Sequence, residues 1–85
     1  MKSQKEKQVL EFITNDYMFN TKIGANPFDD YNPAIVAMEA TELVNDKISE
    51  DYVMYVFNQL KSNPKVAEYI KYEISLESAL KYFAA

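Results

Sequence analysis

The side chains here that could do chemistry are carboxylates, lysines, hydroxyls and phenols, because the 85 residues include no histidine, cysteine, tryptophan or arginine. Without His, no side chain titrates near neutrality unless a Glu or Lys is strongly perturbed. Without Cys there is no thiolate nucleophile, disulfide or soft metal ligand, and without Arg no planar fork for phosphate or carboxylate. Carboxylates are therefore the one metal-ligand type available, and Asp29, Asp30, Glu39, Glu42 and Asp46 are the ones to weigh. A calcium loop of the EF-hand kind needs acids at alternating positions, a Gly at the sharp turn and a distal Glu. Neither Asp29-Asp30-Tyr31-Asn32 nor Asn45-Asp46-Lys47-Ile48 has that spacing, and a di-iron bundle requires Glu-x-x-His pairs. No metal or other cofactor is expected.

Hydrolysis would need two carboxylates with separated pKa values in a cleft, or a Ser beside a base. Of the five Ser residues, Ser49 and Ser75 stand where helix caps belong, and no Gly-rich elbow surrounds any of them. A small helical domain also leaves little wall to enclose a substrate. The chain is expected not to be an enzyme.

Charge bears on partners. The formal net charge is −4, from nine lysines against thirteen acids, and such a balance disfavours nucleic-acid binding, whose affinity comes largely from neutralising phosphates. Asn58, Gln59 and Lys61 lie only near the end of the third predicted helix, whose start is acidic at Glu50 and Asp51. Lys61, Lys65, Lys71 and Lys81 make the C-terminal third the more basic part, which keeps a small DNA-binding regulator as the lesser alternative.

Two residue sets point instead to a protein partner. Glu39, Glu42 and Asp46 recur at i, i+3 and i+7, a helical stripe, and Asp29 and Asp30 precede them on a loop. Together they would show negative charge to a basic partner, as a protein imitating the phosphate backbone of DNA does. The second set is aromatic. Tyr supplies large, rigid interface area with one polar end, and seven are present. Tyr52, Met54 and Tyr55 are the best of these candidates because they lie off the densest face of a helix that is apolar almost all round; Tyr72 and Tyr82 come next. The plainer readings are a solvated helix face for the acids and a core edge for the tyrosines.

The elements that must position these residues read as helices. A single Gly, three Pro and 48% hydrophobic residues suit a folded helical chain better than a hairpin-rich one. Val9, Leu10, Phe12, Ile13 and Tyr17 form one stripe, predicting a first helix over 4–17. A loop follows over 20–32, long enough that Ile23, Phe28 and Tyr31 are expected to pack over the core, with a helical turn around 27–31. Asn32-Pro33 reads as a cap and first-turn proline, opening a second helix to about 47 with Val36, Ala40, Leu43 and Val44 inward. Ser49 with Glu50 and Asp51 starts a third helix over about 50–62, whose core face is Val53, Val56, Phe57 and Leu60. Asn63-Pro64 repeats the start signal for a helix carrying Val66, Tyr69, Ile70 and Ile74. A last apolar set, Leu76, Ala79, Leu80 and Phe83, is rotated from that stripe, so a break near 74–75 with Ser75 as cap is favoured over one continuous helix.

The expected fold is all-α, a single domain over 1–85 of four to five short helices in a bundle, around Val9, Ile13, Val36, Leu43, Val53, Phe57, Leu60, Ile70 and Leu80. No segment has the ~20 apolar residues that cross a bilayer, so no membrane role is expected. The charged residues 1–8 lack a following apolar run and do not read as a signal peptide. Absence of Cys fits a cytoplasmic protein, and Lys without Arg, with abundant Asn, Ile and Tyr, suggests an AT-rich bacterial or phage coding sequence. The expected function is non-catalytic protein–protein interaction. One version is a small acidic phage or mobile-element regulator inhibiting a host nucleic-acid-handling protein; the other is a self-associating helical module, in the simplest case a homodimer.

Overall fold

A computed structural model describes the backbone of residues 2–84 and the side chains of residues 4–82. All its regular structure is helical, with no strand among the described residues, in the order α1 (Lys2–Lys22), α2 (Asn32–Val44), α3 (Glu50–Ser62), α4 (Val66–Ile70) and α5 (Leu76–Ala84). The first three helices pack on one another, α4 lies against α1 and α3, and α5 docks on α4.

Apolar residues from all five helices meet in one cluster. α1 contributes Val9, Leu10, Ile13 and Tyr17; α2 contributes Val36, Ala37, Ala40 and Val44; α3 contributes Val53, Val56, Phe57 and Leu60. Val66 and Ile70 of α4 and Leu76 and Ala79 of α5 complete it, with Leu80 half-buried at its edge. The Phe83 side chain lies outside the described residues. Leu43 departs from the expected core: it is 52% exposed. At ~100° per residue it sits on the shoulder of α2, about 80° from the middle of the stripe formed by Pro33, Val36, Ala37, Ala40 and Val44, and no neighbouring helix covers that shoulder.

Helix ends explain the boundaries that differ from expectation. α1 runs five residues past Tyr17 because its stop signal is Gly24, at φ +81°. The Gly24 N–H donates to the Thr21 carbonyl at 3.2 Å and the Ala25 N–H to the Asn20 carbonyl at 2.8 Å, the bond pair of a Schellman ending that glycine accommodates without strain. α2 stops at Val44, short of 47, because Asn45 turns left-handed at φ 52° with its N–H on the Thr41 carbonyl. The Thr41 hydroxyl then donates to the Ala37 carbonyl at 2.8 Å and accepts from the Ile48 N–H at 2.9 Å, fixing the turn into α3.

Ser49 and Ser75 cap as the sequence suggests, accepting from the Tyr52 N–H at 3.1 Å and the Ser78 N–H at 3.2 Å. The break before α5 is present, since α4 ends at Ile70. Asn32 and Asn63 do not cap. The Asn32 amide donates instead to the Asp16 carboxylate at 3.0 Å and the Pro27 carbonyl at 2.7 Å, tying the connection to α1. Asn63 closes α3, its N–H on the Gln59 carbonyl, and successive i to i+3 bonds over 63–68 replace a side-chain cap for α4. Residues 27–31 form turns without a helical turn of their own.

Candidate functional site

Besides the Asn32 bonds, one aromatic ring anchors the connection from α1 to α2 on the core. Phe28 meets Phe57 edge-to-face at 5.6 Å between centroids and Tyr17 at 6.1 Å, while Tyr17 and Phe57 touch at 5.4 Å. The Lys61 Nζ stands 5.6 Å from the Phe28 centroid, within cation–π range. Only Phe28 of the three expected residues packs on the core; Ile23 and Tyr31 are exposed. A ring at 28 anchored inward leaves Asp29, Asp30 and Tyr31 turned to solvent, and Asp30 takes a left-handed φ of 48°.

α2 continues that exposed surface. At ~100° per residue, Tyr31, Ile35, Met38 and Glu42 fall within about 60° of one another, opposite Pro33, Ala40 and Val44. Glu39 and Leu43 lie on the flank of this strip. Tyr31 is 79% exposed, Ile35 45% and Met38 57%. Glu39, Glu42 and Asp46 are exposed too, with Asp46 just beyond the helix end. Asp29, Asp30, Glu39 and Glu42 therefore lie along the same exposed strip as apolar residues that sequence reasoning did not assign there, whereas Asp46, past the left-handed Asn45, borders a groove with Lys5 and Lys47. The missed signal is that α2 is apolar on both sides, which usually means burial on both sides.

Charge is segregated along the chain in the same place. Residues 23–46 hold five acids and no lysine, whereas the rest of the chain holds nine lysines against eight acids. The whole net negative charge resides in this connection and helix. Beside it, an open recess of about 580 Å³ is bounded by Asn20, Gly24, Asp29, Asp30, Tyr31 and Ile35.

The tyrosine candidates are placed differently. Tyr52 is half-buried and packs against the core, Met54 is half-buried, and Tyr55 is exposed on the same helix. Burial, reinforced by Glu77, Glu6 and Tyr55, raises the Tyr52 phenol above its ordinary value. Tyr69 and Tyr82 stack at 4.4 Å between α4 and α5, and the Tyr82 hydroxyl donates to Glu73 at 2.7 Å. Tyr72 and Ile74 are exposed nearby.

A groove of about 390 Å³ between the start of α1 and the α2–α3 turn is lined by charges of both signs, Lys5 and Lys47 with Glu6, Asp46 and Glu77. The hydroxyls at its edge, Ser49 and Ser75, are engaged as caps. Among the described residues no group of three or more acids comes together as a metal site, and no helix is long and apolar enough to cross a membrane. Comparison with family models, with curated proteins and with solved structures gave no match.

Proposed function

We propose that this protein is a non-catalytic regulator that binds a basic protein through the side formed by Asp29, Asp30, Glu39 and Glu42, with Asp46 at its margin. The observation that carries this reading is the segregation of charge: five exposed acids and no lysine within 23–46, on a chain otherwise near balance. An excess of negative charge attracts the opposite charge over about a Debye length, ~8–10 Å at ordinary ionic strength, and repels nucleic acid. The partner class that best matches is a nucleic-acid-handling protein, whose binding surface is basic for the same electrostatic reason. Occupying that surface would inhibit it, which suits a small phage or mobile-element product.

The experiment is retention of proteins from host lysate on immobilised wild-type chain and on the Glu39→Lys/Glu42→Lys variant, eluted by a salt gradient. The reading expects a basic protein held by the wild type, released at moderate salt and not held by the variant. Equal retention by both would refute it. Recovery of only this chain, at a multiple of its own mass and resistant to salt, would favour self-association through Tyr55 and its neighbours.

A further inference from the structure

Resting on that reading, we propose that the outward side of α2 is a docking surface for one kind of occupant: an amphipathic helix of the partner, with an apolar stripe flanked by lysine or arginine. A bare acidic surface would need nothing more than carboxylates. This one has an apolar strip through it. Tyr31, Ile35 and Met38 are spaced at i, i+4 and i+7 on the side of α2 directly away from the core, with Leu43 on its shoulder, and all four are about half exposed or more. From Tyr31 to Met38 the strip spans about two helical turns, ~10 Å at 1.5 Å per residue. That matches the reach of the i, i+3, i+4, i+7 anchors by which one helix recognises another.

Charge specifies the flanks of the occupant. Asp29 and Asp30 stand before the strip, Glu39 beside it and Glu42 at its far end, with no lysine anywhere along 23–46. A second copy of the same surface would bring four acids against four, so self-pairing is disfavoured. A helix with an acidic rim would be repelled too. A basic rim satisfies both ends at once. The open recess at the N-terminal end of the strip adds a position for one long basic side chain. Its aliphatic stem would lie against Tyr31 and Ile35 and its cationic head near Asp29 or Asp30, as lysine and arginine commonly divide themselves.

The surface thus separates two contributions. The acids supply attraction and approach rate, and the apolar strip supplies orientation and residence time. A partner that offers only diffuse positive charge would be drawn in and released quickly. A partner helix with matched apolar anchors would stay.

The test uses the full chain, isotope-labelled for NMR, and two synthetic peptides of about 18 residues, long enough to sample helix. Both contain the same leucines and lysines. In one the leucines form a single helical stripe, and in the other they are scrambled. At physiological salt the striped peptide should bind about tenfold or more tighter than the scrambled one. Its shift changes should centre on 29–46. The variant Ile35→Ser/Met38→Ser, at side chains outside the buried core, should lose that preference while keeping its own dispersed spectrum. Equal affinity for the two peptides would overturn the helix-docking inference and leave the electrostatic reading standing. Absence of binding by either peptide, or shift changes confined to other surfaces, would remove both. Concentration-dependent shifts at 31–43 without peptide would replace the basic helix by a second copy of the chain.

Discussion

Replacing Phe28 by alanine tests how the connection that presents Asp29, Asp30 and Tyr31 is held. Full burial makes a Phe→Ala change cost about 3–5 kcal/mol. Phe28 is half-buried against the core, which reduces the packing loss to about 2 kcal/mol on that scale. Losing two edge-to-face partners, Tyr17 at 6.1 Å and Phe57 at 5.6 Å, raises the expectation to about 2–3 kcal/mol. For a chain of this length the total stability is about 4–13 kcal/mol, so the loss is a large share. The denaturation midpoint in urea should fall with an unchanged slope, and Tm should drop by about 10–20 °C. Phe28→Leu, which keeps an apolar filler but removes the ring geometry, should cost only about 1 kcal/mol. Amide exchange over 23–32 should quicken in the alanine variant more than exchange in α3. A cost below about 0.5 kcal/mol, with exchange of 23–32 unchanged, would refute the idea that the ring anchors this connection.

Other expectations follow from single groups. The Thr14 hydroxyl is buried with no hydrogen-bond partner, so Thr14→Val, equally β-branched, should stabilise by about 1 kcal/mol in chemical denaturation; a clear destabilisation would mean that the hydroxyl is bonded in solution. Thr41→Val strips the Ile48 N–H of its acceptor and should cost about 1–3 kcal/mol, with Thr41→Ser much milder by the same assay. The Tyr52 phenol is raised by burial, then by Glu77, Glu6 and Tyr55, so the fold holds its proton more tightly than the unfolded chain does. Stability from this group is complete below about pH 10 and is lost as pH rises through the folded value. A Tm series from pH 8 to 11 should therefore fall less steeply for Tyr52→Phe than for the wild type, and identical alkaline slopes would contradict the assignment.

Much of the fold is local chemistry and was legible in the sequence. The spacing of Val9, Leu10, Ile13 and Tyr17 sets the inward side of α1, and Ser49 and Ser75 start α3 and α5 because a hydroxyl can accept an orphan N–H of the first turn wherever it stands before a helix. The rotated stripe after Ile74 announces the break before α5. Gly24, as the α1 stop, was legible in principle. It was masked because polar Asn15, Asp16 and Asn20 look like a weak helix end, although the Asp16 carboxylate accepts from the Asn20 and Asn32 amides once folded.

What tertiary structure decided is which surfaces are covered. Asn32 had the identity of a cap, but a carboxylate sixteen residues away in sequence was the stronger partner. Leu43 had the spacing of a core residue, yet α1 and α3 reach only the other side of α2. For the same reason Ile35 and Met38 stand in solvent beside Glu39 and Glu42. Sequence fixes the order of side chains around a helix; it is the placement of neighbouring helices that determines which part of that circumference is buried. In α2, apolar on both sides, the periodicity alone could not distinguish the two, and the packing of α1 and α3 chose.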